Sequence, residues 1–144
     1  MGIDVAWRRL AGASEFQLTV SRPAGPPLTG RGAISVDILD PSTIVWHERG
    51  DWSEGPLAGI HFSNTTRWTR MADGQLQVSH QRRGPDPVML STLVEQGDGL
   101  WSGETHLCGE DRYRPTLEIG PERLTIRWDV ESPTDPYLLL LLIN

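Results

Sequence analysis

The densest cluster of reactive side chains in the sequence is His106-x-Cys108-x-x-Asp111-x-Tyr113. Residues two apart on an extended chain point to the same face, so imidazole and thiol would sit side by side. That pairing suits a thiolate nucleophile and its base. No family-specific local signature surrounds Cys108. The competing reading makes Cys108 a small buried hydrophobe. His106 then donates to a backbone carbonyl, and Asp111 to Arg114 form a corner with local ion pairs. One cysteine and scattered histidines lack zinc-like spacing, so no metal is expected.

A second cluster is Trp46-His47-Glu48-Arg49-Gly50-Asp51-Trp52. Read as a strand, it sends Trp46, Glu48 and Trp52 one way and His47, Arg49 and Asp51 the other. The outer set suits cross-strand charge pairing on a wet face. An inward Glu48 is a candidate acid or base, or the anchor for a polar ligand group. If Glu48 met Arg82 or Arg67 inside, the pair could fix a polar ligand group or simply neutralise itself. The most basic stretch, His80-Gln81-Arg82-Arg83, reads as a solvated strand end rather than a nucleic-acid site.

Charge and composition narrow the chemistry. The net charge is −6, which disfavours a protein that tracks phosphates. All 13 basic residues are arginine, so Schiff-base chemistry and a lysine phosphate clamp are excluded. The arginine bias fits a GC-rich bacterial genome. The single cysteine forms no internal disulfide, and nothing requires an oxidising compartment. No apolar segment with a cleavage site opens the chain. The apolar run from Tyr137 to Ile143 falls well short of the ~20 residues of a membrane span. A cytoplasmic location is expected, with no nucleic-acid or membrane partner.

The elements that must position these residues alternate with period two almost throughout. Expected strands cover Phe16 to Val20, Ile34 to Ile38, Ile44 to Trp52, Ile60 to Met71 and Gln75 to Arg82. They continue with Val88 to Val94, Leu100 to Cys108, Arg112 to Ile119, Leu124 to Val130 and the final apolar run. Asp40-Pro41-Ser42, Asp73-Gly74 and Gly97-Asp98-Gly99 are turn signals. One short helical turn is expected over Asp4 to Ala11. The result is an all-β, antiparallel up-and-down barrel of roughly nine or ten strands, one domain over residues 1–144. Closure removes the edges that such a meander would otherwise expose.

A barrel aims alternate residues inward. The apolar faces give Ile34, Val36, Ile38; Ile44, Trp46, Glu48; Phe62, Asn64, Thr66, Trp68; and Leu76, Val78, His80, Arg82. They also give Leu100, Ser102, Glu104, His106, Cys108; and Leu124, Ile126, Trp128, Val130. Several of these faces begin apolar and turn polar. Buried charges cost several kcal/mol unless paired, so the pattern suggests either a pocket with a polar end or a barrel mouth meeting water. A one-residue bulge would swap the faces of its strand.

The strings Trp46-His47-Glu48-Arg49-Gly50, Thr66-Arg67-Trp68, Asp73-Gly74, His106-Leu107-Cys108-Gly109-Glu110-Asp111-Arg112-Tyr113 and Arg127-Trp128-Asp129-Val130 carry a resemblance. They resemble a small bacterial family of lipocalin-like (calycin-type) barrel proteins with no assigned activity. The resemblance implies a closed or nearly closed antiparallel barrel around a central pocket. Related haem-binding barrels present a histidine on a late strand; Leu124 to Asn144 has none, so no cofactor is expected.

Three functions remain on these grounds. The first is binding of a small, largely apolar molecule. Its apolar wall is Trp46, Phe62, Trp68, Ile126 and Trp128; its polar anchors are Glu48, Asn64, His80, Arg82, His106 and Tyr113. The second is an enzyme using the same pocket, a cyclase or isomerase of a specialised metabolite. There His106 or Glu48 is the acid or base and Tyr113 a donor. The third is a structural or interaction module, dimerising through the strand Leu138 to Ile143.

Overall fold

The fold, taken from a computed structural model that describes residues 2–80 and 88–144, is one antiparallel meander closed on itself. A short helix α1 (Ile3–Ala11) precedes β1 (Glu15–Ser21), β2 (Leu28–Asp40), β3 (Thr43–Trp52), β4 (His61–Arg70) and β5 (Leu76–His80). Then come β6 (Val88–Gly97), β7 (Leu100–Gly103), β8 (His106–Cys108), β9 (Asp111–Ile119), β10 (Leu124–Glu131) and β11 (Tyr137–Ile143). Consecutive strands pair, except that β7 and β8 both pair with β9 rather than with each other, and β11 returns to β1. Counting β7 and β8 as one interrupted strand, the eleven segments make a ten-strand barrel. Its fold class is that of the calycin and lipocalin-like barrels.

The turns form for the reasons their residues supply. The Ser42 amide donates to Asp40 Oδ1 at 2.8 Å, and the Gln75 amide to Asp73 Oδ1 at 3.1 Å. Gly74 and Gly99 take positive φ, which costs a glycine little. Alternate strands therefore enter the same end of the barrel. That end is stoppered by α1, whose Ala6 and Leu10 are fully buried. The Trp46 indole N–H donates to the Leu10 carbonyl at 2.8 Å, and Arg9 Nη1 donates to the Gly120 carbonyl at 2.8 Å. Outside this end, Arg70 pairs with Asp4 and lies over the Trp7 ring. Ile44, Trp46, Trp68, Leu76, Val78, Leu93, Trp101, Leu117 and Leu124 pack above α1 as a buried apolar core.

Several expectations are corrected. The strand expected over Leu100 to Cys108 breaks at Glu104 and Thr105. There the Glu104 amide bonds the Thr92 carbonyl, and Ser91 Oγ bonds the Glu104 carbonyl. The break shifts the alternation by one residue. Trp101 is buried and Leu100 and Glu104 are exposed, whereas His106 and Cys108 still face the interior. Ile38 is 68% exposed, because the β2–β3 hairpin overhangs the core beyond the irregularity at Ile38 and Asp40. Asp111 to Arg114 are strand, and the chain turns earlier, at Gly109 with φ +64°.

A run of apolar residues as continuous as the last strand's is expected to be covered on both faces, and it is not. Leu139, Leu141 and Ile143 face the core, while Leu138, Leu140 and Leu142 are only half-buried on the outer face. Both edges of β11 are occupied, by β10 and β1, so it offers no free edge for pairing across a dimer. No helix among the described residues is long and apolar enough to cross a membrane.

Candidate functional site

Above the buried apolar core the barrel holds a cavity of about 780 Å³. That volume falls in the ~300–1,000 Å³ range of small-molecule pockets. Trp46, Phe62, Trp68, Ile126 and Trp128 line it, together with Glu48, Asn64, His80, His106 and Tyr113. Thus the expected apolar wall and five of the six expected anchors surround one space. Arg82 lies outside the described residues. Arg67 stands opposite Val45, not Glu48, and so is on the outer face.

The register explains the convergence. On β3 and β4, Trp46 is opposite Thr66 and Glu48 is opposite Asn64. The Glu48 carboxyl therefore sits directly across from two short polar side chains. Thr66 Oγ1 donates to Glu48 Oε2 at 2.7 Å, and Asn64 Nδ2 donates to the same oxygen at 3.2 Å. Asn64 Nδ2 also lies 3.3 Å from Thr66 Oγ1. Oε1 receives no hydrogen bond among the described residues. Glu48 is only 5% exposed. Burial raises its pKa from 4.5 to about 7, against the opposing pull of the Thr66 and Asn64 hydrogen bonds.

Phe62 is held by a different device. Its ring lies across β2 and β3, where a Cβ on Gly50 would meet Phe62 Cζ at 2.7 Å. The missing side chain leaves a shelf on which the ring rests, against Phe16 at 5.9 Å and Trp52 at 5.0 Å between centroids. Trp46 and Trp68 meet edge to face at 5.3 Å. The Trp68 indole N–H has no acceptor among the described residues.

His80, His106, Cys108 and Tyr113 occupy the opposite end from α1. The expected His106–Cys108 pair does share the inner face, but Cys108 is exposed, so it is not a buried hydrophobe. Among the described residues, no group of three His, Cys, Asp or Glu is arranged to hold a metal.

Thr66 and Tyr137 were not among the expected site residues. Thr66 was legible as an inward residue, but its bond to Glu48 depends on cross-strand register. Tyr137 follows a proline-rich turn, and no periodicity precedes it. A second hollow of about 520 Å³ lies outside the barrel, against Arg22, Arg112, Arg114, Asp129 and Glu131. Its mixed charges and the Arg22–Asp135 pair at 3.0 Å make it a solvated rim rather than the site.

Fold and cavity together define a lipocalin-like barrel with an aromatic interior and, among the described residues, one buried carboxyl. Residues 10–140 match DUF6314, a family of unknown function, and the chain belongs to that family. A search among curated proteins finds no match in sequence. Among solved structures, the chain is similar to an S-type phycobiliprotein lyase from Guillardia theta, with a TM-score of 0.70. The two are 11% identical, and the likeness covers 99% of this chain and 90% of the lyase. At that identity the likeness is one of fold.

Proposed function

We propose that the protein binds a small, largely apolar molecule inside the barrel, with one polar group of the ligand directed at Glu48. The observation that carries this reading is the 780 Å³ cavity itself, walled by Trp46, Phe62, Trp68 and Trp128 around a nearly buried carboxyl. A carboxyl held largely away from water is costly to ionise unless it serves something. The fold shared with a phycobiliprotein lyase is compatible with a working interior.

Native mass spectrometry against a library of apolar small molecules tests the reading. One-to-one adducts are expected with the parent protein. They should weaken at least tenfold in Leu139→Trp, which fills the cavity from β11, while circular dichroism reports an intact barrel. An absence of adducts across the library with the parent protein overturns it.

The raised pKa of Glu48 favours a second reading, an isomerase or cyclase working in the same space. A carboxyl titrating near 7 is matched to proton transfer at neutral pH. Glu48 would be the acid or base, with His106 as the alternative and Tyr113 as a hydrogen-bond donor. Once a turned-over ligand is found, the His106→Ala/Glu48→Ala double variant should lose roughly 10²–10⁴ in rate. Unchanged turnover rules the mechanism out.

A further inference from the structure

We propose that the polar group taken by Glu48 is an organic cation, so that the ligand is an amine or quaternary ammonium carried on an apolar body. This deepens the binding reading above and rests on it. Three independent features of the cavity point the same way.

The first is charge. Among its described lining residues Glu48 is the only carboxylate, and no arginine is present. The chain contains no lysine at all. Nothing among the described lining therefore neutralises Glu48 permanently. The overall charge of −6 also favours the approach of cations.

The second is the direction of the hydrogen bonds. Thr66 and Asn64 both donate, and both reach Oε2. Donors aimed at one oxygen favour the ionised carboxylate over the acid. Oε1 takes no hydrogen bond among the described residues and keeps some surface open to the cavity, on a residue only 5% exposed. A buried carboxylate half satisfied in this way gains most from a positive partner, because a cation offsets both the missing bond and the lost hydration.

The third is the wall. Indole and phenyl rings attract cations through their faces, most strongly where water is excluded. Trp46, Phe62, Trp68 and Trp128 line the same cavity as the carboxyl. Aromatic rings around one carboxylate match an ammonium group better than a carboxylate or phosphate, which Glu48 would repel. A neutral acceptor would need Glu48 as the acid with its proton on Oε1, a form that the two hydrogen bonds to Oε2 favour less than the ion.

The test uses phenylalkyl trimethylammonium ions with one to six methylenes, their uncharged tert-butyl isosteres and the matching phenylalkyl carboxylates. Affinities are read from tryptophan fluorescence and calorimetry. At pH 8 the best cation should bind at least tenfold tighter than its neutral isostere, and the carboxylate more weakly than either. In Glu48→Gln the cation-to-neutral ratio should fall severalfold, to the part that the rings alone supply.

His80, His106, Cys108, Tyr113 and Tyr137 also face the cavity and are titratable. The pH profile is therefore read as the difference between the parent protein and Glu48→Gln. That difference should grow as pH rises from 5.5 to 8, as Glu48 ionises. Neutral ligands binding as tightly as cations, or a ratio indifferent to Glu48→Gln, overturns the cation assignment and leaves the binding reading intact. If none of the three series binds, the assignment falls, and the library experiment decides the wider reading.

Discussion

Glu48→Gln should stabilise the protein at pH 8 and do little at pH 4. The carboxyl titrates at about 7 in the folded chain and near 4.5 when unfolded. Between those values the folded state holds the extra proton, so raising the pH through the window favours unfolding. Below 4.5 both states are protonated and Glu48 costs nothing by this route. Above 7 both are ionised, and the folded state carries the full cost of a buried charge. The gap corresponds to about 3 kcal/mol at its upper limit, since one pKa unit is about 1.4 kcal/mol. Glutamine keeps an acceptor for Thr66 and Asn64 but never ionises. Urea unfolding at pH 4, 6 and 8 measures the effect, with the slope against denaturant expected to stay constant. A variant less stable than its parent at pH 8 contradicts the burial argument. A ligand that neutralises Glu48 should shrink the difference, which ties this measurement to the cavity's occupant.

The inward alternation of Ile44, Trp46 and Glu48, and of Asn64, Thr66 and Trp68, was legible in the sequence, because unbulged strands keep a strict period of two. Two features could not be read. The break at Glu104 and Thr105 reverses the faces of β7, and it arises from long-range bonds to Thr92 and Ser91. No local residue announces it, and Trp101 was missed for that reason. The second is the bond network at Glu48. It depends on β3 and β4 aligning Glu48 with Asn64, a register set by the intervening loop. The polar ends of the inner faces suggested either a pocket or a barrel mouth. Glu48, at 5% exposure, belongs to a pocket, while Glu104 is exposed.

Trp46→Ala should produce the largest loss of stability, about 3–5 kcal/mol for emptying a buried tryptophan site. The side chain is 1% exposed and joins three parts of the molecule. Its ring meets Trp68 edge to face, its indole N–H bonds the Leu10 carbonyl at the end of α1, and it lines the cavity. Truncation therefore removes packing and also leaves the Leu10 carbonyl with only the 3.5 Å bond from the Ala13 amide, a further loss of about 0.5–1.5 kcal/mol. Trp46→Phe separates the two effects, because it keeps a ring but loses the donor. It should cost less overall and still loosen α1, seen as faster amide exchange at Ala6 and Leu10 than in the strands. Equal protection of α1 in Trp46→Phe and the parent protein would mean that Ala6 and Leu10 are held by burial alone. A double-mutant cycle with Trp68→Ala should show a coupling of about 0.5–1.5 kcal/mol for the ring pair. Because Trp46 joins the stopper to the cavity wall, weakening of α1 and weakening of ligand binding should appear together in Trp46→Ala. In Trp46→Phe the helix should loosen more than binding falls.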